Sequence, residues 1–82
     1  MYADTTLLKA QLRERLGQLK TLRDELRLET HLAGMEAKTR WEALEPRFNE
    51  AQRMARTIKT ASRDALDEII ETYRELKASL KT

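Results

Sequence analysis

Residues 8–26, LKAQLRERLGQLKTLRDEL, place leucine at 8, 12, 16, 19, 22 and 26. Steps of four and three average about 3.6 residues, the turn of an undistorted α-helix. The same phase runs on through Thr30, Ala33, Ala37, Trp41, Leu44, Phe48, Ala51 and Ala55. It then continues through Ile58, Ser62, Leu66, Ile69, Tyr73, Leu76 and Leu80. Only Thr30 and Ser62 interrupt the apolar series. An all-α fold follows, because a strand would need period two.

Composition agrees. Charged residues make up 37% of the 82, apolar ones 40%, and there are two Gly and one Pro. That is the profile of long helices rather than of a mixed fold. A chain this short forms one domain and buries too little surface for a large core. Association with further chains is the expected supplement.

Pro46 is the strongest local break, since it lacks an N–H and its ring clashes with the preceding turn. The expected architecture is two long antiparallel amphipathic helices, a helical hairpin or coiled coil, that associate into a bundle. The single domain would span 1–82. Its first helix would run from about 5 to 44, capped by Asp4, Thr5 or Thr6, and its second from about 46 to 80. Two rivals stand beside this. One is a long helix kinked at Pro46 that pairs with a second copy. The other reverses near Gly34, where Thr39-Arg40-Trp41-Glu42 reads as a capping box.

Charge blocks support an antiparallel pairing. Residues 1–23 hold five cations and two anions, 24–45 three and six, 46–63 five and one, 64–75 one and five. Folding the chain at its middle sets opposite signs side by side. It would also place Ala33 near Ile58, Ala37 near Ala55, Leu26 near Leu66, Leu19 near Tyr73 and Leu12 near Leu80. Large side chains would then face small ones.

Three features lie outside this seam. Leu28, Leu32 and Met35 form a second apolar strip about two turns long, which reads as a self-association surface or else as a change of phase or a helix end at Gly34. Trp41 and Phe48 add bulk near the expected reversal, either as a plug closing the hairpin or as part of that interface. Arg53, Arg56, Lys59 and Arg63 are the densest cationic cluster. They could follow a phosphate backbone or dock the acidic flank of a neighbouring copy. No aromatic interleaves these cations, so base stacking has no support.

The residues for chemistry are few. There is no Cys, which excludes disulfides and thiolate chemistry, and His31 is the one histidine. Glu29, His31 and Glu36 lack the i,i+3 or i,i+4 spacing of helix-borne metal sites. Ser62 and Ser79 have no base partner in view, and no Gly-rich phosphate loop occurs. The expectation is a non-enzymatic protein with no catalytic residue, no metal and no cofactor. Its partner would be a further copy of itself, with a protein partner, nucleic acid or a lipid surface as alternatives. No apolar run approaches a membrane span and no signal-peptide core is visible, so a cytoplasmic location is expected.

The long amphipathic phase punctuated by proline resembles that of apolipoprotein-like and phasin-like amphipathic helices, which implies reversible coating of lipid or polymer surfaces. Residues 29–38, ETHLAGMEAK, with 41–47, WEALEPR, look like segments of small uncharacterised bacterial helical-hairpin proteins. That likeness implies no activity. The sequence therefore supports a self-associating structural or assembly protein. An anionic-surface binder or an accessory docking module is the alternative.

Overall fold

The computed structural model describes residues 3–80, with side chains from Thr6 onward. The described residues form three helices and no strand: α1 (Ala3–Ala33), α2 (Met35–Met54) and α3 (Thr60–Leu80). The all-α class holds. The two-helix hairpin is corrected to three helices.

Both reversals fall where the hairpin reading did not put them. The first is at Gly34, with φ 105° and ψ −176°. That backbone conformation is essentially reserved for glycine, because a Cβ would clash with its own peptide groups. Gly34 caps α2 by its backbone, and its carbonyl accepts from Lys38 N–H at 3.1 Å. The second reversal occupies residues 55–59. There α2 tightens, as Arg56 N–H donates to Arg53 O at 3.1 Å and Thr57 N–H to Met54 O at 3.0 Å. Such i→i−3 bonds commonly close a helix. Adjacent β-branched residues, Thr57 and Ile58, weaken helix continuation there.

Pro46 lies inside α2 instead of at a turn. It sits on the solvent face, as does Glu42 one turn earlier. The Glu42 carbonyl that proline leaves without a donor therefore faces water, which can satisfy it. The first helix also starts by Ala3, so Asp4, Thr5 and Thr6 lie within it rather than capping it.

Contacts set the helix directions. Gln11 meets Arg63, Arg15 meets Asp67 and Glu25 meets Lys77. Each pair is separated by 52 residues, so α3 runs parallel to α1 in constant register. Arg23 meets Glu45, which brings α2 back antiparallel along α1. Arg40 meets Ser79, and Tyr73 meets the Leu44 carbonyl, so α3 is antiparallel to α2. The acidic 64–75 block does lie beside a cationic stretch of α1, but in parallel. The residue pairings drawn from a single mid-chain fold do not apply.

The 31-residue α1 accounts for about 46 Å at 1.5 Å per residue. It spans most of the molecule, whose extents are 48 × 19 × 15 Å. Leu12, Leu19, Leu26, Phe48, Ala51, Leu66, Ile69, Tyr73 and Leu76 form the core. These nine belong to the apolar phase read from sequence, and Ile70, the tenth core residue, lies one position off it. Thr30 and Ser62, its two polar interruptions, are buried as well. Thr30 Oγ1 donates to Arg27 O at 3.3 Å, which satisfies its hydroxyl inside the helix.

Candidate functional site

At the waist of the bundle, α1 presents Arg23 to α2. Its Nε and Nη2 donate to the two Glu45 carboxylate oxygens at 3.0 and 2.9 Å. This fork-to-fork geometry is the strong form of an ion pair. The guanidinium also lies 4.5 Å from the centre of the Phe48 ring, a cation–π distance. Hydrogen bonding to Glu45 holds the Arg23 pKa above its usual value.

Beneath this pair lies Tyr73, fully buried. Its hydroxyl donates to the Leu44 carbonyl at 3.1 Å, and Trp41 meets its ring edge-on with centroids 6.2 Å apart. Burial, with the Glu45 charge adding to it, pushes the Tyr73 pKa up to about 12 from 10.0. The folded state thus disfavours tyrosinate. Stability is intact below pH 10 and falls as pH climbs from 10 towards 12, by up to about 3 kcal/mol. Tyr73→Phe should remove this alkaline loss, at a cost near neutral pH of about 1 kcal/mol for the missing hydrogen bond. Urea unfolding across that pH range, with tyrosinate absorbance in parallel, checks both.

These contacts show where the expected interface aromatics sit. Phe48 is buried under Arg23 and offers no surface to a second chain. Trp41 is half-buried against Tyr73. Phe48 belongs to the interior of the bundle, and Trp41 packs against the core while keeping part of its surface open. By contrast Leu28, Leu32 and Met35 are 67%, 82% and 82% exposed.

The reason is architectural. By the constant α1–α3 register, Leu80 at the end of α3 lies level with Leu28. Leu28 and Leu32 also lie on the face of α1 turned away from the seam of Leu19 and Leu26, and among the described residues α3 reaches no further than this level. Leu80, Glu29, Leu32 and Ala33 line a shallow groove at this tip. Asp24, Arg27, Leu28 and His31 line another beside it. The charges around the strip are of mixed sign.

The cationic cluster is divided by the second reversal. Arg53 ends α2, Arg56 and Lys59 lie in the 55–59 connection, and Arg63 is on α3. Arg63 is engaged there. Its Nη1 donates to Gln11 Oε1 at 2.9 Å, and its Nε lies 3.5 Å from the Asp64 carboxylate. Arg56 instead joins cations that were not singled out. Lys9, Arg13 and Lys20 of α1 face it across a groove of about 390 Å³ whose floor includes Leu16, Ala55 and Ile58. The signal for those three was present in the sequence. At positions 9, 13 and 20 they share one flank of the α1 wheel with Leu16.

Among the described residues no group of His, Cys, Asp and Glu could hold a metal ion, and no helix is long and apolar enough to cross a membrane. No family model, curated protein or solved structure matches this chain.

Proposed function

We propose that this protein is a non-enzymatic helical assembly module that associates with copies of itself through the tip where α1 meets α2. The single observation behind the reading is the strip Leu28, Leu32 and Met35, 67–82% exposed at one end of the bundle. Exposed apolar side chains grouped in this way mark interfaces on small domains. The rim of Asp24, Arg27, Glu29, Glu36 and Lys38 carries both signs. It suits a two-fold contact in which the patch meets itself.

Burying three such side chains contributes about 5 kcal/mol in gross terms. That lies at the low end of the cost of association, about 4–15 kcal/mol. A dimer through the tip alone is therefore weak, and assembly calls for further contact.

Light scattering over a range of protein concentration tests the reading. Wild type should exceed one chain in mass at high concentration, even in high salt. In high salt, Leu28→Lys with Met35→Lys should remain a monomer of unchanged helicity. A wild type that stays monomeric, or a double variant of wild-type mass, would reject the tip as an interface.

Binding of an anionic surface is the second reading, favoured by the groove of Lys9, Arg13, Lys20 and Arg56. Resemblance to surface-coating amphipathic helices points the same way. The largest apolar residues of the periodic face are already packed inside, however, so lipid coating would require the bundle to open.

A further inference from the structure

The cationic groove has a counterpart on the far side of the same molecule. Asp64, Glu68, Glu71 and Glu75 all lie exposed on α3. Their steps of four, three and four keep them on one helical face. At about 100° per residue that face is directly opposite the one buried by Leu66, Ile69, Tyr73 and Leu76. Lys9, Arg13, Leu16 and Lys20 on α1 step by four, three and four as well. Each row covers 12 residues, about 16 Å of helix from first to last.

None of the Lys9, Arg13, Lys20 and Arg56 side chains has a hydrogen bond or ion pair among the described residues. On the acidic row, Glu68 and Glu75 carboxylates are equally unengaged. Asp64 and Glu71 meet their helix neighbours Arg63 and Arg74 only at 3.5 and 3.9 Å. Arg15, Arg23 and Lys77 instead hold carboxylates at 2.7–2.9 Å across helices, whereas Arg27, Lys38, Arg47, Arg53 and Lys59 are as unengaged as the groove cations among the described residues.

From these matched rows we infer that the groove between α1 and α2 receives the outer face of α3 from a second copy. The inference rests on the self-association reading but uses a different surface. The two rows align in either direction, with Lys9, Arg13 and Lys20 each opposite a carboxylate and Leu16 opposite the fourth. Ala61 and Ala78 continue that face beyond each end of the row with small apolar side chains. The methylene stems of the glutamates would supply apolar contact for the floor of Leu16, Ala55 and Ile58, which a phosphate backbone would not bring. The groove lining also contains no aromatic ring on which a base could stack.

Groove and stripe lie on opposite sides of one molecule, so no chain can satisfy its own. Each copy accepts one neighbour and is accepted by another. Such a head-to-tail contact builds open rows unless its rotation closes a ring. Added to a two-fold contact at the tip, it would cross-link dimers into larger assemblies. Its charges are exposed, so the step is salt-sensitive, unlike the apolar tip.

Charge reversal in both partners tests this. One variant carries Lys9→Glu, Arg13→Glu and Lys20→Glu; the other carries Asp64→Lys, Glu68→Lys, Glu71→Lys and Glu75→Lys. All seven positions are exposed, and far-UV circular dichroism checks that helicity is kept. In low salt, sedimentation should show each variant alone losing the salt-sensitive step, with association weakened ~tenfold or more. An equimolar mixture should regain it, because the reversed groove now fits the reversed stripe. A single variant that assembles like wild type overturns the inference, as does a mixture that stays apart. So does a wild type that binds a heparin fragment through the groove while showing no salt-sensitive self-association. If only the tip variant Leu28→Lys with Met35→Lys changes the mass, the tip reading stands and the groove contact falls.

Discussion

Leu19→Ala is expected to lower the unfolding free energy by about 3 kcal/mol. Leu19 is fully buried, on the helix that packs against both others. Removing its branched end leaves a cavity that helices tied along their length close only in part, and such deletions cost 2–5 kcal/mol. A domain of 82 residues has roughly 4–12 kcal/mol in all. One substitution thus takes a quarter of the stability or more, and the melting temperature should fall by roughly 10–20 °C. Leu28→Ala is the control. The same chemical change at a side chain 67% exposed should alter stability by less than about 0.5 kcal/mol. Thermal and urea denaturation of the two variants in dilute solution, where the tip contact is absent, gives the comparison. Equal losses at the two sites would mean that α1 turns a different face to its partners.

Gly34→Ala should change the shape of the protein rather than only its stability. With φ at 105° and ψ at −176°, Gly34 occupies a region that alanine reaches only at a cost of roughly 1–3 kcal/mol. Alanine also favours helix over glycine by about 1 kcal/mol. Both effects act in one direction, towards joining α1 and α2 into a single helix. Nothing in the pattern resists this, because Thr30, Ala33, Ala37 and Trp41 keep one phase across the junction. A joined helix over 3–54 would be about 78 Å long. Its second half would leave its own α1 and pack on that of another chain, giving a swapped dimer. Small-angle scattering should then report a radius of gyration well above 14.0 Å, with mass doubled. Asn at 34 should act like Ala, since ψ lies far from the left-handed helical region that asparagine tolerates. A compact Gly34→Ala monomer would show that packing, rather than the glycine, holds the reversal.

Much of this architecture was legible before any coordinates. Leu12, Leu19, Leu26, Leu66, Ile69, Tyr73 and Leu76 could be named as core because a buried helix face repeats every 3.6 residues whatever its partners. Exposure of Leu28 and Leu32 followed from the same wheel. Ile70 is the exception among the buried residues, one position off the phase yet enclosed. In α3 the apolar face is wider than a single row, since the helix packs against two neighbours rather than one.

The turns were only partly legible: the reversal near Gly34 stood among the rival readings without anything to rank it above Pro46, and the one at 55–59 was not read at all. An apolar phase that passes through Gly34 and Ile58 unbroken looks the same in a straight helix, a hairpin and a three-helix bundle. Proline appeared the natural break, yet on a solvent-facing turn its lost hydrogen bond falls to water and the helix continues. Glycine marked the true reversal by a backbone freedom that leaves no trace in hydrophobicity. The 55–59 connection has only Thr57 and Ile58 to announce it. The candidate surfaces followed the same division. Leu28, Leu32 and Met35 stood out locally and stayed exposed. The cationic groove needed Arg56 to be carried back beside Lys9 and Arg13, and the Arg53–Arg63 cluster was parted by that same turn. What this sequence determined by itself is helix and buried face, because both arise within one turn of chain. Where the chain reverses, and therefore which charges meet, was decided by tertiary structure, because only packing against other helices distinguishes between equally helical paths.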